Sequence, residues 1–315
     1  MRLRLLVAVC LLAGSAFAAD PELLSLVPPD AQVLAGWSVE QAMLSPLSQY
    51  LQAQAPPQAT AEIQKLTEQT GFDFRHDLKE VLIAISGNTQ NPSPLILARG
   101  NFNIAKIIEA AVADGEALES YSGIQIIQWE HNKQPSIALV DATLAIAGDP
   151  AVVRAAIDRR SAPTPISASL AVAVNQASSG QDGWFVSVTP LAQLGAAGKP
   201  APPFEVFMKV LRASGGVKLG AGVTITLEAV TQTAPDASAI VEVVKSFIAM
   251  AQSAAANEPS AAPALALLKN VQVSADGAVA KASINIPEQQ IEELIKSNPA
   301  AVGFDVGHPP VPNRQ

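Results

Sequence analysis

The sequence predicts an α+β protein made of two similar domains, each a mostly antiparallel sheet with helices packed on one face. Three observations predict it. Apolar runs of strand length occur in pairs separated by turn residues, the pattern of hairpins. Segments with apolar residues at helical spacing lie between these pairs and do not follow every strand, as they would in a parallel α/β fold. The order of elements in the first half also returns in the second, across a break rich in Ser and Pro.

The opening MRLRLLVAVCLLAGSAFAAD stands apart from the fold. Arg2 and Arg4 make a positive head, Leu5 to Leu12 an apolar core, and Ala16-Phe17-Ala18 a small-x-small site. This is the pattern of a secretory signal peptide, residues 1–18, cleaved near Ala18, and it predicts a periplasmic or secreted protein. The run is too short for a permanent span, and no later stretch offers about 20 uncharged apolar residues, so no transmembrane segment is expected in the mature chain. Cys10 is the only cysteine and leaves with the signal, which predicts neither disulfide nor thiol chemistry. The bulky Val9 before it argues against lipidation.

The first domain, 19–160, starts with a short helix at PELLSLVP and a strand at AQVLAGW. Ser38-Val39-Glu40-Gln41 has the spacing of a capping box, which predicts helix to about Gln54 with a break near Pro46. A helix over ATAEIQKLTEQT stops at Gly71, the residue suited to a left-handed C′ position. EVLIAISG and PLILARG, joined by NTQNPS, predict a hairpin. Asn101 or Asn103 caps a helix with Ile104, Ile107, Ile108 and Ala111 on one face, and Gly115 ends it. Four strands follow, LESYS, IQIIQWE, SIALVD and TLAIAG. The helix PAVVRAAIDRR has Pro150 at its start and Arg159 and Arg160 complementing its C-terminal dipole. Runs such as VLIAI and SIALV are apolar on both parities, so those strands are expected to be covered on both sides.

SAPTPISAS, 161–169, is expected to link the halves. In the second domain, 170–297, GWFVSVT predicts a strand, a helix begins at Pro190, and PFEVFMKVLRAS predicts a helix ending at Gly215. VKLGAGV and TITLEAVT predict a strand pair, and Asp236 a cap on a long helix with Ile240, Val244, Phe247 and Ala251 on one face. VQVSADGAVAKASINI predicts a hairpin turning at Asp276-Gly277, and PEQQIEELIK a last amphipathic helix. The Pro-rich tail, 298–315, is expected to be extended.

Composition excludes several functions. The formal charge is -8, with acidic residues spread along the chain and no basic stripe, a poor match to a phosphate backbone, so no nucleic-acid partner is expected. The three histidines, His76, His131 and His308, fall on unrelated segments, and neither His-Glu-x-x-His nor Cys-x-x-Cys spacing occurs, so no metal site is expected. No Gly-x-Ser-x-Gly or Ser-x-x-Lys pattern supplies a nucleophile. GAGVT at Gly220 lacks the third glycine of a nucleotide loop and runs into a strand, which predicts a turn. No catalytic, cofactor-binding or metal-binding residue, and no cofactor, is assigned.

The densest polar cluster is FDFRHD. Asp73 and Asp77 there suit capping positions of a turn anchored by Phe72, Phe74 and Leu78, with Arg75 and His76 projecting to water. Trp37, Trp129 and Trp184 each fall on a predicted strand; gathered at one open end they would line an apolar pocket.

The phrases TGFDFRHDLKEVLIAISG, LILARGNFNIAKI and SIALVDATLAIAGDPAVVRAAID resemble a pattern shared by uncharacterised exported bacterial proteins carrying domains of unknown function. The resemblance covers most of residues 20 to 160 and implies an α+β envelope or secreted protein with no established activity. The function expected from all this is non-enzymatic binding of another protein or an envelope component. Two alternatives stand beside it: a carrier of a small apolar ligand or lipid, and a hydrolase assembled from distant segments, with Asp73, His76 and Asp77 as its nearest candidates.

Overall fold

The computed structural model of the protein describes residues 19–55, 57–88, 91–129, 135–194, 202–255 and 262–297. Residues 1–18, read above as a signal peptide, His131, and residues 298–315 with His308 lie outside the described residues. In chain order the first half comprises α1 (Pro21–Ser25), β1 (Val33–Ser38), α2 (Val39–Leu44), α3 (Pro46–Ala53), α4 (Pro57–Thr70) and α5 (Phe74–Asp77). It continues with β2 (Leu78–Asn88), β3 (Asn91–Gly100), α6 (Ile104–Ala113), β4 (Ala117–Tyr121), β5 (Ile124–Gln128), β6 (Ser136–Asp141), β7 (Leu144–Gly148) and α7 (Pro150–Ser161). The second half comprises α8 (Ala168–Ser178), β8 (Gly183–Ser187), α9 (Leu191–Leu194), a 3-10 turn (Phe204–Lys209), β9 (Val210–Leu219) and β10 (Gly222–Thr231). It ends with α10 (Ala234–Ala255), α11 (Ala262–Leu268), β11 (Val271–Asp276), β12 (Val279–Pro287) and α12 (Glu288–Ser297).

The α+β class and the antiparallel pairing are as the sequence predicts, and the two halves share one sheet. Its order is β11-β12-β10-β9-β8-β1-β2-β3-β7-β6-β5-β4. Read outward from the central β1–β8 pair, one side runs β1-β2-β3-β7-β6 and the other β8-β9-β10-β12-β11. The two sides therefore repeat one topology around a pseudo-twofold axis between β1 and β8, with β5 and β4 added at one edge.

The β1–β8 seam carries a reciprocal device. Both strands contain Gly-Trp, and the antiparallel register sets Gly36 opposite Trp184 and Trp37 opposite Gly183. Each indole lies flat across the facing glycine, where a Cβ would collide with the ring. Because side chains alternate along a strand, the rings fall on opposite faces of the sheet.

On the first face, Trp184 joins Leu34, Leu82, Leu95, Leu97, Ile126, Leu144, Ile146 and Val186 in the main core, closed by α1, α7 and α8 through Leu23, Val153, Ile157, Leu170 and Val174. The second face is covered at its ends. Over β5, β6 and β7, Ile104, Ile107 and Ile108 of α6 pack on Ile127, Leu139 and Ala145. At the other end Ala237, Ile240 and Val241 of α10 pack with Val210 and Ala280. By length and composition α10 is apolar enough to cross a membrane, and 17% of that stretch is buried; Ala237, Ile240 and Val241 are the residues it packs against the sheet.

Several sequence expectations need correction. PFEVFMKVLRAS is not a helix: Phe204, Phe207 and Val210 mimic helical spacing, but from Val210 the chain pairs with both β8 and β10, and tertiary pairing overrides the local pattern. Gly215 is therefore no helix stop; it lies within β9, where a Cβ would come 2.6 Å from the Phe185 ring and 2.7 Å from Leu227. Ser38 precedes α2 but makes no side-chain cap bond. The cap of α10 is Thr233, whose hydroxyl accepts from the Asp236 amide at 3.3 Å and donates to the Asp236 carboxylate at 2.6 Å. Arg159 donates to the Leu26 carbonyl at 2.8 Å, tying α1 to α7, and Arg160 pairs with Asp141 at 2.9 Å, so neither serves only the helix dipole. The stretch 161–169 narrows to 162–167 between two helices, and α8, capped by Ser167, was not foreseen.

Strand β6 is covered on both sides, as its doubly apolar run predicts. Strand β2 is not: Leu82 and Ala84 are buried on the first face, while Ile83 on the second remains 38% exposed. The reason is that neither α6 nor α10 reaches the centre of that face.

Candidate functional site

Where β1 leaves the sheet, α2 and α3 turn over the ends of β1 and β2, and α4 and α5 close the other side. They enclose a hollow of about 680 Å³. Its walls are mostly apolar: Trp37, Val39, Ala42, Met43, Leu51, Ile63, Leu66 and Phe74, with Ser48, Gln52, Thr60, Glu62 and Arg75 as its polar members. The local sequence explains the shape. Ser45 ends α2 and caps α3, its hydroxyl accepting from the Ser48 amide at 3.2 Å, and Pro46 at the first helical position enforces the break. The two short helices therefore meet at an angle instead of running on as one, and leave room beneath them.

The FDFRHD cluster forms one wall of this hollow. Asp73 caps α5, accepting from the Arg75 amide at 3.0 Å, and the Arg75 guanidinium binds the same carboxylate through Nε at 2.8 Å and through Nη2. Asp77 accepts from the Asp73 amide at 2.7 Å, and the Asn101 amide donates to the Asp77 carbonyl at 2.8 Å. The turn reading holds for both aspartates, with Phe72 stacked on Phe102 at 5.3 Å as an anchor. Arg75 differs from expectation: it is half-buried on Asp73 and does not project to water, because the carboxylate two residues back offers a two-pronged partner. His76 is exposed. Both oxygens of Asp73 and one of Asp77 accept hydrogen bonds from backbone amides or Arg75, and His76 makes none of these bonds.

The Arg75 hydrogen bond holds the Asp73 carboxyl below the usual carboxylate range, against an opposing push from burial. A depressed folded value stabilises the protein above the ordinary aspartate pKa of about 3.9, and that contribution is lost as pH falls through the folded value. Asp73→Asn, which keeps a capping side chain, should therefore lower the urea midpoint at neutral pH. In acid, below both values, it should change the midpoint little. An equal loss at both pH values would show that the charge pair contributes nothing.

Trp37 is the common border of two hollows. Beyond it, on the open centre of the second face, lies a shallower trough of about 320 Å³. Its floor and walls are Ala35, Val81, Ile83, Phe185, Val217, Ile225 and Leu227, while Thr226 between the last two borders it by its backbone and turns its side chain to the first face. Ala35 stands between Ile83 and Phe185 in register, and Gly215 between Phe185 and Leu227, so the trough crosses five strands. Among the three tryptophans, Trp37 lines the hollows, Trp184 is buried on the opposite face, and Trp129 packs under α6; they do not gather at one open end. A separate groove of about 490 Å³ on the first face, between α8 and β9–β10, is lined instead by Gln176, Gln181, Arg212, Ser214 and Glu228 among others. Among the described residues no three His, Cys, Asp or Glu side chains come together.

Residues 4–175 match the family model described as protein of unknown function (DUF3352). The chain belongs to the DUF3352 family. That family carries no assigned activity, in keeping with the resemblance read from residues 20 to 160. No curated protein matches the sequence. Solved structures similar to it include crystal forms I, IV and III of TP0453, each 12% identical with a TM-score of 0.49. The match to form I covers 89% of this chain and 98% of that one, the match to form IV 88% and 96%, and the match to form III 89% and 99%.

What the sequence missed is the hollow itself. Its lining residues are scattered through 37–75, on the end of β1 and on four helices, α2 to α5, whose relative angles depend on Pro46 and on the α4–α6 packing. The one local signal was the apolar character of both parities in VLIAI of β2, which left a second face to be filled.

Proposed function

We propose that this DUF3352 protein is a non-enzymatic binding protein of the cell envelope or exterior, and that it holds a small apolar molecule or lipid in the hollow between α2, α3, α4 and α5. The supporting observation is the hollow of about 680 Å³ walled by Trp37, Val39, Met43, Leu51, Ile63, Leu66 and Phe74, within the size and lining typical of ligand sites. The compartment rests on Arg2, Arg4, the apolar core and Ala16-Phe17-Ala18. Among the described residues Arg75 is the one cation in the wall and is already answered by Asp73, while Glu62 adds a negative charge. This favours a cargo without an anionic head.

Native mass spectrometry of freshly purified protein should show an apolar adduct, and an environment-sensitive apolar dye should bind and be displaced by neutral long-chain alcohols. Ile63→Glu, which places a carboxylate in the wall, should weaken dye binding tenfold or more. A clean unliganded mass together with no dye binding would end the proposal.

A further inference from the structure

We infer that the cargo is a single chain longer than the helix-walled hollow, and that its far end crosses Trp37 and lies along the trough on the open second face of the sheet. The inference deepens the proposed function and rests on it. Four observations carry it.

The two hollows share Trp37 as a wall, so a chain leaving one along the indole enters the other. The Trp37 ring lies flat over Gly183, where any Cβ would strike it, and forms a floor that a chain can pass over. Among the described residues the trough's lining has no ionisable side chain, and Thr226 turns its hydroxyl to the other face, so it offers no partner for a polar head and suits a methylene or isoprenoid tail. It is also open where the rest of the sheet is closed: Trp37 is 37% exposed, Ile83 38% and Leu227 46%, all on one face between α6 and α10. A contiguous patch of this kind costs solubility unless something covers it, and the tail of a ligand already anchored next door is the occupant that continuity supplies.

The energetics make the idea measurable. Each methylene moved from water to an apolar surface contributes about 0.8 kcal/mol, close to a fourfold gain in affinity. If the hollow alone takes the ligand, affinity along a series of straight-chain alcohols should stop rising once the hollow is full. If the tail continues over Trp37, the rise should persist over several further methylenes, with a shallower slope because the trough is open to water on one side.

The test is dye displacement by straight-chain alcohols from octanol to eicosanol, with the wild-type protein and three variants that leave the helix-walled hollow intact. Ile83→Lys and Leu227→Lys place a charge in the trough at half-exposed positions that tolerate it, and Ala35→Phe fills it. Circular dichroism and urea melts establish that each variant folds. The expected result is unchanged affinity for the shorter alcohols and at least a tenfold loss for the longest, in all correctly folded variants. Long-chain affinity equal to wild type in folded variants would overturn the inference and leave the hollow as the whole site. Failure of every alcohol to bind the wild-type protein would overturn the proposed function and this inference together.

Discussion

Gly36→Ala should destabilise the protein by about 2–3 kcal/mol, as a core side chain forced into an occupied space does. The same substitution at Gly183 should cost under about 1 kcal/mol. The two positions are opposites in the β1–β8 register, and each lies beneath the other strand's tryptophan. Replacing glycine by alanine reduces the freedom of the unfolded chain, a gain of about 0.4–1 kcal/mol where the native backbone accepts a Cβ. At Gly36 the collision outweighs that gain, because Trp184 is only 7% exposed and packs within the main core, leaving the ring nowhere to go. At Gly183 the colliding ring is Trp37, which borders open space on both sides and can swing outward. Its displacement should appear as weaker ligand binding, since Trp37 walls both hollows. Urea unfolding and dye titration of the two variants check this, and equal stability losses would mean that Trp37 is as fixed as Trp184.

The pseudo-twofold reading leads to the same pair of residues. Gly36-Trp37 and Gly183-Trp184 are adjacent in sequence within each half, yet neither dipeptide declares a repeat by itself, and the order of elements was the only legible sign of duplication. Much of the fold was readable because it is local: hairpins with Asp276-Gly277 at the turn, the Asn103 cap, and the αL stop at Gly71, where φ is +67°. The continuity of the sheet was not readable, since pairing of β1 with β8 joins residues about 150 positions apart and depends on register, not on local propensity. The segment 204–214 misled because a 3-10 turn followed by a strand placed Phe204, Phe207 and Val210 at helix-like intervals. Of the candidate site, FDFRHD was legible as a turn because its caps act within four residues, whereas its place in the wall of a hollow follows from α2, α3 and α4, whose mutual angles no short window of sequence specifies.

A residue that no motif singles out should prove among the most sensitive polar positions. Asp182 precedes the Gly183-Trp184 pair and is 3% exposed. Its amide donates to the Val217 carbonyl at 2.9 Å, and its carbonyl accepts from the Ser38 amide at 2.7 Å. Its carboxylate accepts from the Leu219 amide at 2.6 Å and from Lys218 Nζ at 2.8 Å. One residue thus fastens β1, β8 and β9 where the halves join. Asp182→Ala leaves the Leu219 amide without its acceptor and removes a hydrogen bond to a charged group, a loss of about 2–3 kcal/mol. The ion pair matters less, because the Lys218 side chain is 46% exposed and a pair with one solvated partner contributes about 0–1 kcal/mol. Asp182→Asn, which keeps an acceptor for the amide, should therefore retain most of the stability, and Lys218→Met should cost under about 1 kcal/mol. If Asp182→Asn proved as damaging as Asp182→Ala in urea melts, the charge and not the backbone hydrogen bond would be what holds the seam. The junction of the two halves would then be expected to weaken with added salt, since screening acts on the ion pair and leaves the amide contact almost untouched.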